Sequence, residues 1–503
     1  MADVLPQFPV NEEARGAKPR AFTLELTKGC NLRCGYCYYA EREDAYDPRT
    51  RMSEEVAEQS VETLLRDGPD GEPIHLHLFG GEPLLAPELL MHTVRYAARR
   101  AAECGKGATF EVTTNGTRLS DEIVAFLNEH KVNVGISFDG PPDVQDVARP
   151  AAPGKSSYEM AEPGIRRLLE SRKGTDLEDL VHCSVVVTKN EPNLVRIVEH
   201  LEDMGFRNIL LTPATDLEGK SNGFSDDDLP DLLAAYDALA DDYEKRIRAG
   251  RPVSARVYPI MMSRILSGER KMHFCGGGRD YLGVSAEGEV SLCYRFYEDD
   301  EFSMGSVQEG ITTEVTERLD EHAIDKRTEC SSCWARYFCG GGCHHDNVES
   351  GRGLGEPNPV YCDIFRHTMD RTLDAWGRLS RDGFLGARAA VQPLPAAIAN
   401  GANGSQTAPV NNDPWTDGDK PKTAPSCHVR ELSGEKVVYD PKTHEVVVLN
   451  RTAAFIFELC DGSRSVKDLE QALCERYEAP TEILRRDLEA TLSDLRGKGI
   501  VAS

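Results

Sequence analysis

Three cysteines near the amino end, Cys30, Cys34 and Cys37, are spaced as ligands of one metal centre. Three thiolates are one ligand fewer than a four-iron cubane needs, so one iron stays open to a small chelating ligand. Zinc sites usually close four ligands locally through paired Cys-x-x-Cys clusters, and no fourth Cys or His follows close to Cys37. The spacing therefore indicates an iron-sulfur cluster with a free position. A zinc knuckle or a set of buried thiols is the alternative.

A second group of cysteines occupies a stretch rich in Cys and Gly. It consists of Cys275, Cys293, Cys330, Cys333, Cys339, Cys343 and Cys362. Zinc ribbons explain Cys330 and Cys333 taken alone, but the first group in the same chain favours iron-sulfur chemistry for the second.

Composition narrows the class of protein. The 503 residues suffice for two to four domains, and the formal net charge of -26 disfavours a nucleic-acid partner, which requires clustered Lys and Arg. The first twenty residues hold no apolar stretch, and no run of 18 uninterrupted apolar residues occurs. We therefore expect a cytoplasmic protein with no membrane segment.

Short apolar runs alternate with helix-like segments in the first half of the chain. The predicted strands are Phe22 to Leu26, Ile74 to Phe79, Thr109 to Thr113, Val132 to Phe138, Val181 to Val187 and Ile209 to Leu211. The predicted helices are Ser53 to Arg66, Pro87 to Glu103, Asp121 to Glu129, Gly164 to Ser171 and Asn193 to Met204. This β-α repeat predicts an α/β fold, a partial (β/α)6 TIM-like barrel with its chemistry in the loops after the strands.

The domain organisation follows from changes in composition. We expect an N-terminal arm at 1–20, the barrel at 21–250, a Cys-rich domain with connecting helices at 251–385, a flexible linker at 386–425 and a compact domain at 426–503. The last domain has strands near Val429, at Lys436 to Tyr439 and at Glu445 to Leu449, with Asp440 to Thr443 as a turn. Three helices follow, so it resembles a winged helix-turn-helix.

The motif around the first cysteines, Glu25-Leu-Thr-Lys-Gly-Cys-Asn-Leu-Arg-Cys-Gly-Tyr-Cys37, resembles the radical S-adenosylmethionine (radical SAM) family. Phe79-Gly80-Gly81-Glu82-Pro83 follows the second strand and resembles the family's segment for the methionine amine. The resemblance implies S-adenosylmethionine binding by a set of residues: Tyr36, Gly80, Gly81, Glu82, Asn115, Ser137 and Arg149. For Asn115 and Asp139, turn formation is an equal alternative. The implied chemistry is one-electron cleavage of the cofactor to a 5'-deoxyadenosyl radical.

The second cysteine group resembles the SPASM domain, which holds two auxiliary [4Fe-4S] clusters. The resemblance gives Cys330, Cys333, Cys339 and Cys362 to auxiliary cluster II, and Cys275, Cys293 and Cys343 to auxiliary cluster I. Auxiliary cluster I then lacks one ligand. Either an open iron accepts a substrate cysteine thiolate, or His273 is the fourth ligand. Three [4Fe-4S] clusters and S-adenosylmethionine are thus the implied cofactors.

Sulfatase-maturating enzymes share both regions. In that family an Asp follows the second cysteine of the set and acts as base, whereas Tyr294 follows Cys293 here. This difference disfavours sulfatase maturation without excluding it.

The tail, with its segment from Val446 to Gly462, resembles the PqqD-like domains that bind leader peptides of ribosomally made natural products. Such domains take the leader as an added strand, which implies contacts with Val446, Val447, Val448 and Leu449. The rival interpretation is a DNA-binding winged helix. From Cys427 to Ser503, however, 11 basic and 14 acidic residues give a net charge of -3, which is unfavourable for phosphate.

These resemblances together predict a peptide-modifying radical SAM enzyme. It would install thioether cross-links, or carbon-carbon ones, in a ribosomal precursor peptide, with a flavodoxin- or ferredoxin-type electron donor. One alternative is maturation of a protein subunit or sulfatase. A zinc-bound scaffold or regulator is the non-enzyme alternative.

Overall fold

The computed structural model describes residues 18–41, 46–214, 223–267, 270–297, 299–382, 415–425, 427–432, 435–439, 446–449, 451–477, 481–497 and 499–502. Parallel strands alternate with helices in its first part. These strands are β1 (Ala21–Thr27), β2 (Ile74–Gly80), β3 (Ala108–Thr114), β4 (Asn133–Ser137), β5 (Val181–Val187) and β6 (Ile209–Pro213). The helices are α1 (Glu54–Asp67), α2 (Pro87–Glu103), α3 (Asp121–Glu129), α4 (Pro142–Ala148), α5 (Ser157–Arg172), α6 (Leu194–Met204), α7 (Leu229–Arg248) and α8 (Val257–Ser267).

The strands alternate in character because one face of the sheet meets helices and the other faces the barrel interior. In β1, Phe22 and Leu24 are fully buried in the main core, whereas Thr23 hydrogen-bonds to His77 on β2 at 3.4 Å. Helices start at polar caps: Ser53 accepts from the Val56 amide at the start of α1. The local sequence therefore specifies both the faces of the strands and the starts of helices.

The sheet runs in sequence order from β1 to β6 and then continues beyond β1. There β7 (Tyr281–Val284) pairs parallel with β1, with Ala21 opposite Tyr281. It is followed by the antiparallel strands β8 (Glu289–Ser291), β9 (Ser303–Ser306) and β10 (Gly310–Ile311). The Cys-rich part of the chain thus extends the barrel sheet, across the boundary that we expected at residue 250.

Short helices carry most of the remaining Cys-rich segment. They are α9 (Glu314–Glu321), α10 (Thr328–Ser331), α11 (Arg336–Cys339), α12 (His344–Glu349) and the long α13 (Pro359–Arg381). Helix α13 packs against α7 and α8, and Arg378 pairs with Glu244 at 2.8 Å. The last helix of this region is therefore fixed to the barrel side of the molecule.

The C-terminal part has its own core. It contains β11 (Lys422–Thr423), β12 (His428–Leu432), β13 (Glu435–Tyr439), β14 (Val446–Leu449), α14 (Arg451–Leu459), α15 (Val466–Arg476), α16 (Thr481–Gly497) and β15 (Val501–Ala502). Strands β12, β13 and β14 form an antiparallel sheet in that order. Three strands with three helices agree with the expected winged-helix arrangement. The expected turn from Asp440 to Thr443 lies outside the described residues.

One domain boundary needs correction. We assigned residues up to 425 to a flexible linker, but Trp415 is buried in the C-terminal core and β11 pairs with β15. The sequence did not reveal this because Trp415 and the two residues of β11 stand among Pro, Asp and Lys. The residues with which they pack or pair lie far away in the sequence. Residues 415–425 therefore belong to the C-terminal domain.

The expected α/β fold is confirmed, since all six predicted strands are present. Helix α5 starts at Ser157, seven residues before the predicted Gly164. The strands β7 to β10 and the helices α4, α7 and α8 are additions that the sequence patterns did not predict. Within the described ranges, no helix is both long and apolar enough to cross a membrane.

Candidate functional site

A cavity of about 320 Å³ lies at the carboxyl ends of β1 to β6. Its walls come from the loops after these strands, as in β-α barrels generally. All ten residues that we expected at the first cluster and its cofactor line it: Cys30, Cys34, Tyr36, Cys37, Gly80, Gly81, Glu82, Asn115, Ser137 and Arg149. The fold thus brings together residues that are more than a hundred positions apart.

The three thiols of the β1 loop share this cavity. The pKa of Cys30 is raised to about 11 and that of Cys34 to about 12, mainly by burial and in smaller part by neighbouring thiols of the set. Such thiols stay protonated at neutral pH and are poor nucleophiles. A metal that displaces their protons would hold them as thiolates. Their environment therefore suits ligation better than covalent catalysis.

The two positions at the end of β2 require glycine because the backbone of the loop after β1 lies very close to them. Gly80 has φ 135°, and a Cβ there would lie 2.3 Å from the Thr27 carbonyl oxygen. A Cβ on Gly81 would lie 2.3 Å from the Gly29 oxygen. Only glycine fits at either position. The segment is thereby pressed against the loop that carries the thiols.

Glu82 joins the ends of β2 and β3. Its carboxylate accepts from the Thr114 hydroxyl at 2.7 Å, the Asn115 amide at 2.7 Å and the Leu84 amide at 3.0 Å. Burial raises the pKa of Glu82, and these donors oppose the rise. Glu82 therefore holds two loops in register around the cavity.

Asn115 connects the β3 loop to the thiol loop. Its side-chain amide donates to Asn31 Oδ1 at 2.9 Å and lies 3.9 Å from the Cys30 sulfur. Its oxygen accepts from the Thr117 hydroxyl at 2.6 Å, and Asn31 donates to the same hydroxyl at 2.8 Å. Asn115 thus has a clear structural role beside Cys30.

A buried triad follows β4. Tyr36 donates to Asp139 Oδ2 at 2.6 Å, and Arg149 donates to the Tyr36 hydroxyl at 2.7 Å. Asp139 also accepts from the Val186 amide on β5 at 3.0 Å. Burial raises the pKa of Asp139, while Arg149 opposes the rise. The triad fixes Tyr36 between Cys34 and Cys37.

Buried polar atoms without a hydrogen-bond partner within the described chain line this cavity. They include Nε of Arg149, Oγ of Ser184 on β5 and Nε of Arg295. Unsatisfied buried groups cost stability unless water or a ligand satisfies them. A polar ligand with a carboxylate and hydroxyl groups, such as S-adenosylmethionine, fits these donors. The residues present therefore fit the cofactor that the sequence implies.

The interior of the barrel below the cavity is polar. Thr23, His77, Glu111 and Asn133 lie at one level across β1 to β4. Burial raises the pKa of Glu111 to about 8, and Asn133 donates to its carboxylate at 3.0 Å. His77, whose pKa burial lowers, hydrogen-bonds at 2.8 Å to Thr113, and both line the cavity. Protonated Glu111 and neutral imidazoles thus underlie the site.

The opposite wall contains residues that the sequence analysis missed. Tyr294 lines the cavity, with its ring 4.7 Å from that of Phe79 and 6.0 Å from that of Tyr38. Arg295 also lines it and pairs with Asp346 at 2.6 Å. Burial alone would raise the pKa of Asp346, but Arg295 holds it well below its usual range. Tyr294 and Arg295 directly follow Cys293, and Asp346 lies three residues after Cys343. This closeness to the cysteines was a signal in the sequence that these residues lie at the site.

The remaining thiols of the Cys-rich region interact within two groups. After burial, Cys343 and Cys275 are the next causes of the raised pKa of Cys293. The pKa of Cys362 is raised to about 12, first by burial and then by the thiols of Cys339, Cys330 and Cys333. The described residues contain no group of three or more His, Cys, Asp or Glu side chains arranged to bind a metal ion. A cubane is wider than one ion, so the grouping is the informative feature here.

His273, the possible fourth ligand of the incomplete set, lies among charged side chains. Its Nε2 lies 3.0 Å from the Arg279 guanidinium and 4.0 Å from Asp320. The hydroxyl of Tyr281, in contrast, donates to the Cys275 sulfur at 3.4 Å. Tyr281 is therefore one of the side chains that contact this set.

The strand predicted to bind a leader peptide lies at an edge of the C-terminal sheet. Residues 446–449 form β14, which pairs with β13 from Lys436 to Tyr439. Leu449 is buried in the C-terminal core. Within the described residues, the other side of β14 has no strand partner. Its backbone is therefore placed for β-augmentation.

Comparison with known proteins gives two family matches. Residues 24–201 match the model of the Radical SAM superfamily. Residues 435–501 match that of coenzyme PQQ synthesis protein D (PqqD).

Curated relatives align over most of the chain. The Cysteine-type anaerobic sulfatase-maturating enzyme of Clostridium perfringens (strain 13 / Type A) is 28% identical over 368 residues, which cover 69% of this chain and 95% of that enzyme. The Serine-type anaerobic sulfatase-maturating enzyme of Klebsiella aerogenes is 24% identical over 413 residues, covering 78% and 97%. The solved structure of native anSMEcpe with bound AdoMet, at 22% identity, covers 72% of this chain and 99% of its own, with TM-score 0.60. That likeness is one of fold.

Proposed function

We propose that this chain, in which a radical SAM domain precedes a PqqD domain, is a maturase that cross-links a ribosomally synthesised precursor peptide. The observation that carries the proposal is the cavity at the strand ends. Three partly buried thiols, the Gly80 to Glu82 segment and Arg149 line this single volume. A domain of a peptide-binding family follows in the same chain.

Cys30, Cys34 and Cys37 would hold the [4Fe-4S] cluster. When bound, the cluster and S-adenosylmethionine supply a 5'-deoxyadenosyl radical that removes hydrogen from unactivated carbon. Arg149 would bind the cofactor carboxylate through its unsatisfied Nε, and Ser137 lies on the same wall. The rings of Phe79 and Tyr294 exclude water from the opposite side. The protein's contribution is thus binding, orientation and exclusion of solvent.

The remaining thiols would hold two auxiliary clusters of SPASM type. Cys330, Cys333, Cys339 and Cys362 complete one of them. The other has three thiols, with the Tyr281 hydroxyl 3.4 Å from the Cys275 sulfur. An open iron in this second cluster would accept a substrate cysteine thiolate, which is why we favour a thioether over a carbon-carbon bond.

The leader of the precursor would add to β14 as a further strand. Backbone hydrogen bonds along Val446, Val447, Val448 and Leu449 would give affinity, and this places the core peptide at high local concentration near the cavity. A flavodoxin- or ferredoxin-type protein would deliver the electrons. We propose that the chain works in the cytoplasm, because its many cysteine ligands require reducing conditions.

The second candidate is maturation of a sulfatase, and the curated relatives favour it. Tyr294 occupies the position after Cys293 where we expect an acidic base in those enzymes. In the structure Tyr294 is buried among aromatic rings. The side chain present there does not provide a carboxylate for proton removal.

Mass spectrometry after anaerobic incubation with S-adenosylmethionine and reductant tests the two candidates. A precursor peptide encoded beside the enzyme should lose two hydrogens per bond, and alkylation of cysteine should then fail at thioether positions. A sulfatase-derived peptide with Cys or Ser at the reacting position should remain unchanged. Cys34→Ala is the matched inactive control. An unaltered precursor with a converted sulfatase peptide would replace the first candidate by the second.

Metal analysis tests the cofactor assignment and the scaffold alternative together. Three four-iron clusters require about twelve irons per chain. A colourless protein that binds zinc and forms no 5'-deoxyadenosine would exclude an enzyme of this class.

A further inference from the structure

A second cavity, of about 120 Å³, adjoins the first. Thr212, Pro213, Arg295 and Asp346 line both cavities, so they form a common wall. Small-molecule sites usually measure about 300–1,000 Å³. The first cavity reaches this range, whereas the second has room only for a single side chain.

The second cavity is mainly apolar. It lies between β6, α8 and α13, and its lining includes Val257, Ile260, Met261, Phe274, Ile364 and Phe365. Apolar walls favour an occupant that leaves water when it binds. The charged residues of the lining are Arg264, Arg295 and Asp346, and Cys343 also lines the cavity.

Arg295, in the common wall, offers a hydrogen-bond donor to a peptide that extends from one cavity into the other. The Arg295 side chain is 13% exposed and its Nη1 is bound to Asp346, while its Nε has no hydrogen-bond partner in the described chain. A peptide main-chain carbonyl satisfies such a donor. Arg295 therefore combines a fixed position with a free hydrogen-bonding atom.

We propose that the second cavity binds one aliphatic or aromatic side chain of the peptide substrate, beside the residue that reacts in the first cavity. Arg295 Nε donates to the main-chain carbonyl that lies between them. The identity of the ligand as substrate rests on the proposed function, but the preference of the cavity for an apolar side chain does not. A substrate with an apolar residue next to the modified one is the expected class.

Methyl NMR of the full-length protein tests the cavity without turnover. Met261 lines the cavity, so its [13C]methyl signal, assigned through Met261→Leu, reports occupancy. N-acetyl-L-phenylalaninamide should shift this signal saturably, and N-acetyl-L-serinamide should not. Equal shifts with both probes, or none with either, would overturn the proposal.

A variant whose larger side chain fills the second cavity provides the matched comparison with the wild type. Ile260→Trp should abolish the shift and raise the KM for the precursor at least about tenfold. Ala102→Trp, on an exposed position of α2, should do neither. Val257→Phe serves in its place if Ile260→Trp does not fold. An unchanged KM in a folded filling variant counts against the proposal. Absence of product with the wild type overturns the proposed function and leaves the NMR result intact.

Discussion

Two sets of three thiols differ in their surroundings rather than in ligand number. Cys30, Cys34 and Cys37 all line the large cavity. In the second set, Cys275, Cys293 and Cys343, the last of these borders the smaller, apolar cavity. The first set therefore faces a space large enough for a cofactor, and the second adjoins a space that fits one side chain.

The neighbours of each set explain what a fourth position at each could accept. Beside the first set lie Arg149 and Ser184, with unsatisfied polar atoms. Beside the second lie the Tyr281 hydroxyl, 3.4 Å from Cys275, and Arg295, 3.6 Å from the Cys343 sulfur. Cysteine spacing alone thus gives a number of thiols, whereas the structure shows how the surroundings of the two sets differ.

Removing a thiol of the first set should have the largest effect. Cys34→Ala should lower 5'-deoxyadenosine formation more than about 1,000-fold, equivalent to about 4 kcal/mol. The bound iron should fall by about four atoms per chain. Chromatography of the nucleoside and iron analysis measure the two effects. Retained cleavage activity would show that this set is not the cofactor cluster.

The second set should respond differently to the same change. Cys343→Ala should abolish peptide modification, by about 100-fold or more, while 5'-deoxyadenosine still forms within about threefold of the wild type. The reason is that the first set keeps its ligands and its cavity. Product and nucleoside are quantified in one reaction. Parallel loss of both would mean that the sets do not act separately.

Replacing Arg149 should lower the affinity of the first site for S-adenosylmethionine. Arg149→Met should raise the KM for S-adenosylmethionine by about 10- to 100-fold, since a charge-assisted hydrogen bond is lost. Because Asp139 would then be buried without its cation, the double variant with Asp139→Asn is the control for folding. Initial rates at varied cofactor concentration give the KM. An unchanged KM in the folded double variant would exclude this contact.

The smallest expected effect is on the pH dependence of stability, through Glu111 in the polar barrel interior below the first site. Burial raises the pKa of Glu111 from 4.5 to about 8, so the folded state keeps a proton that the unfolded chain releases. Stability should therefore fall as pH rises through this window, by at most about 1.4 kcal/mol per pH unit. Glu111→Gln should remove this part of the slope.

Urea unfolding of both forms between about pH 6.5 and 8 measures the difference. The buried His75 and His182, whose pKa burial lowers to about 4, lose stability only as pH falls below about 6.5. They therefore do not interfere in this range. Identical slopes in the two proteins would show that Glu111 is ionised in the folded state.

The fold was largely predictable from local patterns. Strands β1 to β6 are visible in the sequence as short apolar runs, and the radical SAM and PqqD resemblances are confirmed. Strand β7 was missed because Tyr281–Val284 is only four residues long and follows a run of glycines. Its partner β1 is about 260 residues away in sequence, and no local signal reveals such a pairing.

The candidate site was predictable where chemistry requires a fixed spacing. Cysteines and the Gly80-Gly81-Glu82 segment stand in motifs, so their convergence could be expected. Arg295, Asp346 and Ser184 come from three separate elements and share no motif. Closeness in sequence to Cys293 and Cys343 was a signal for Arg295 and Asp346, but their pairing and the place of Ser184 at the cavity depend on tertiary packing.

The contact between Tyr38 and Tyr294 has a consequence for spectroscopy. Each ring directly follows a cysteine, one from each three-thiol set, and their centroids are 6.0 Å apart. Since aromatic packing at this range transmits displacement, a disturbance on one side reaches the ligand shell of the other. On the cluster assignment proposed above, the paramagnetic signal of each centre should change its line shape when the ring beside the other set is altered.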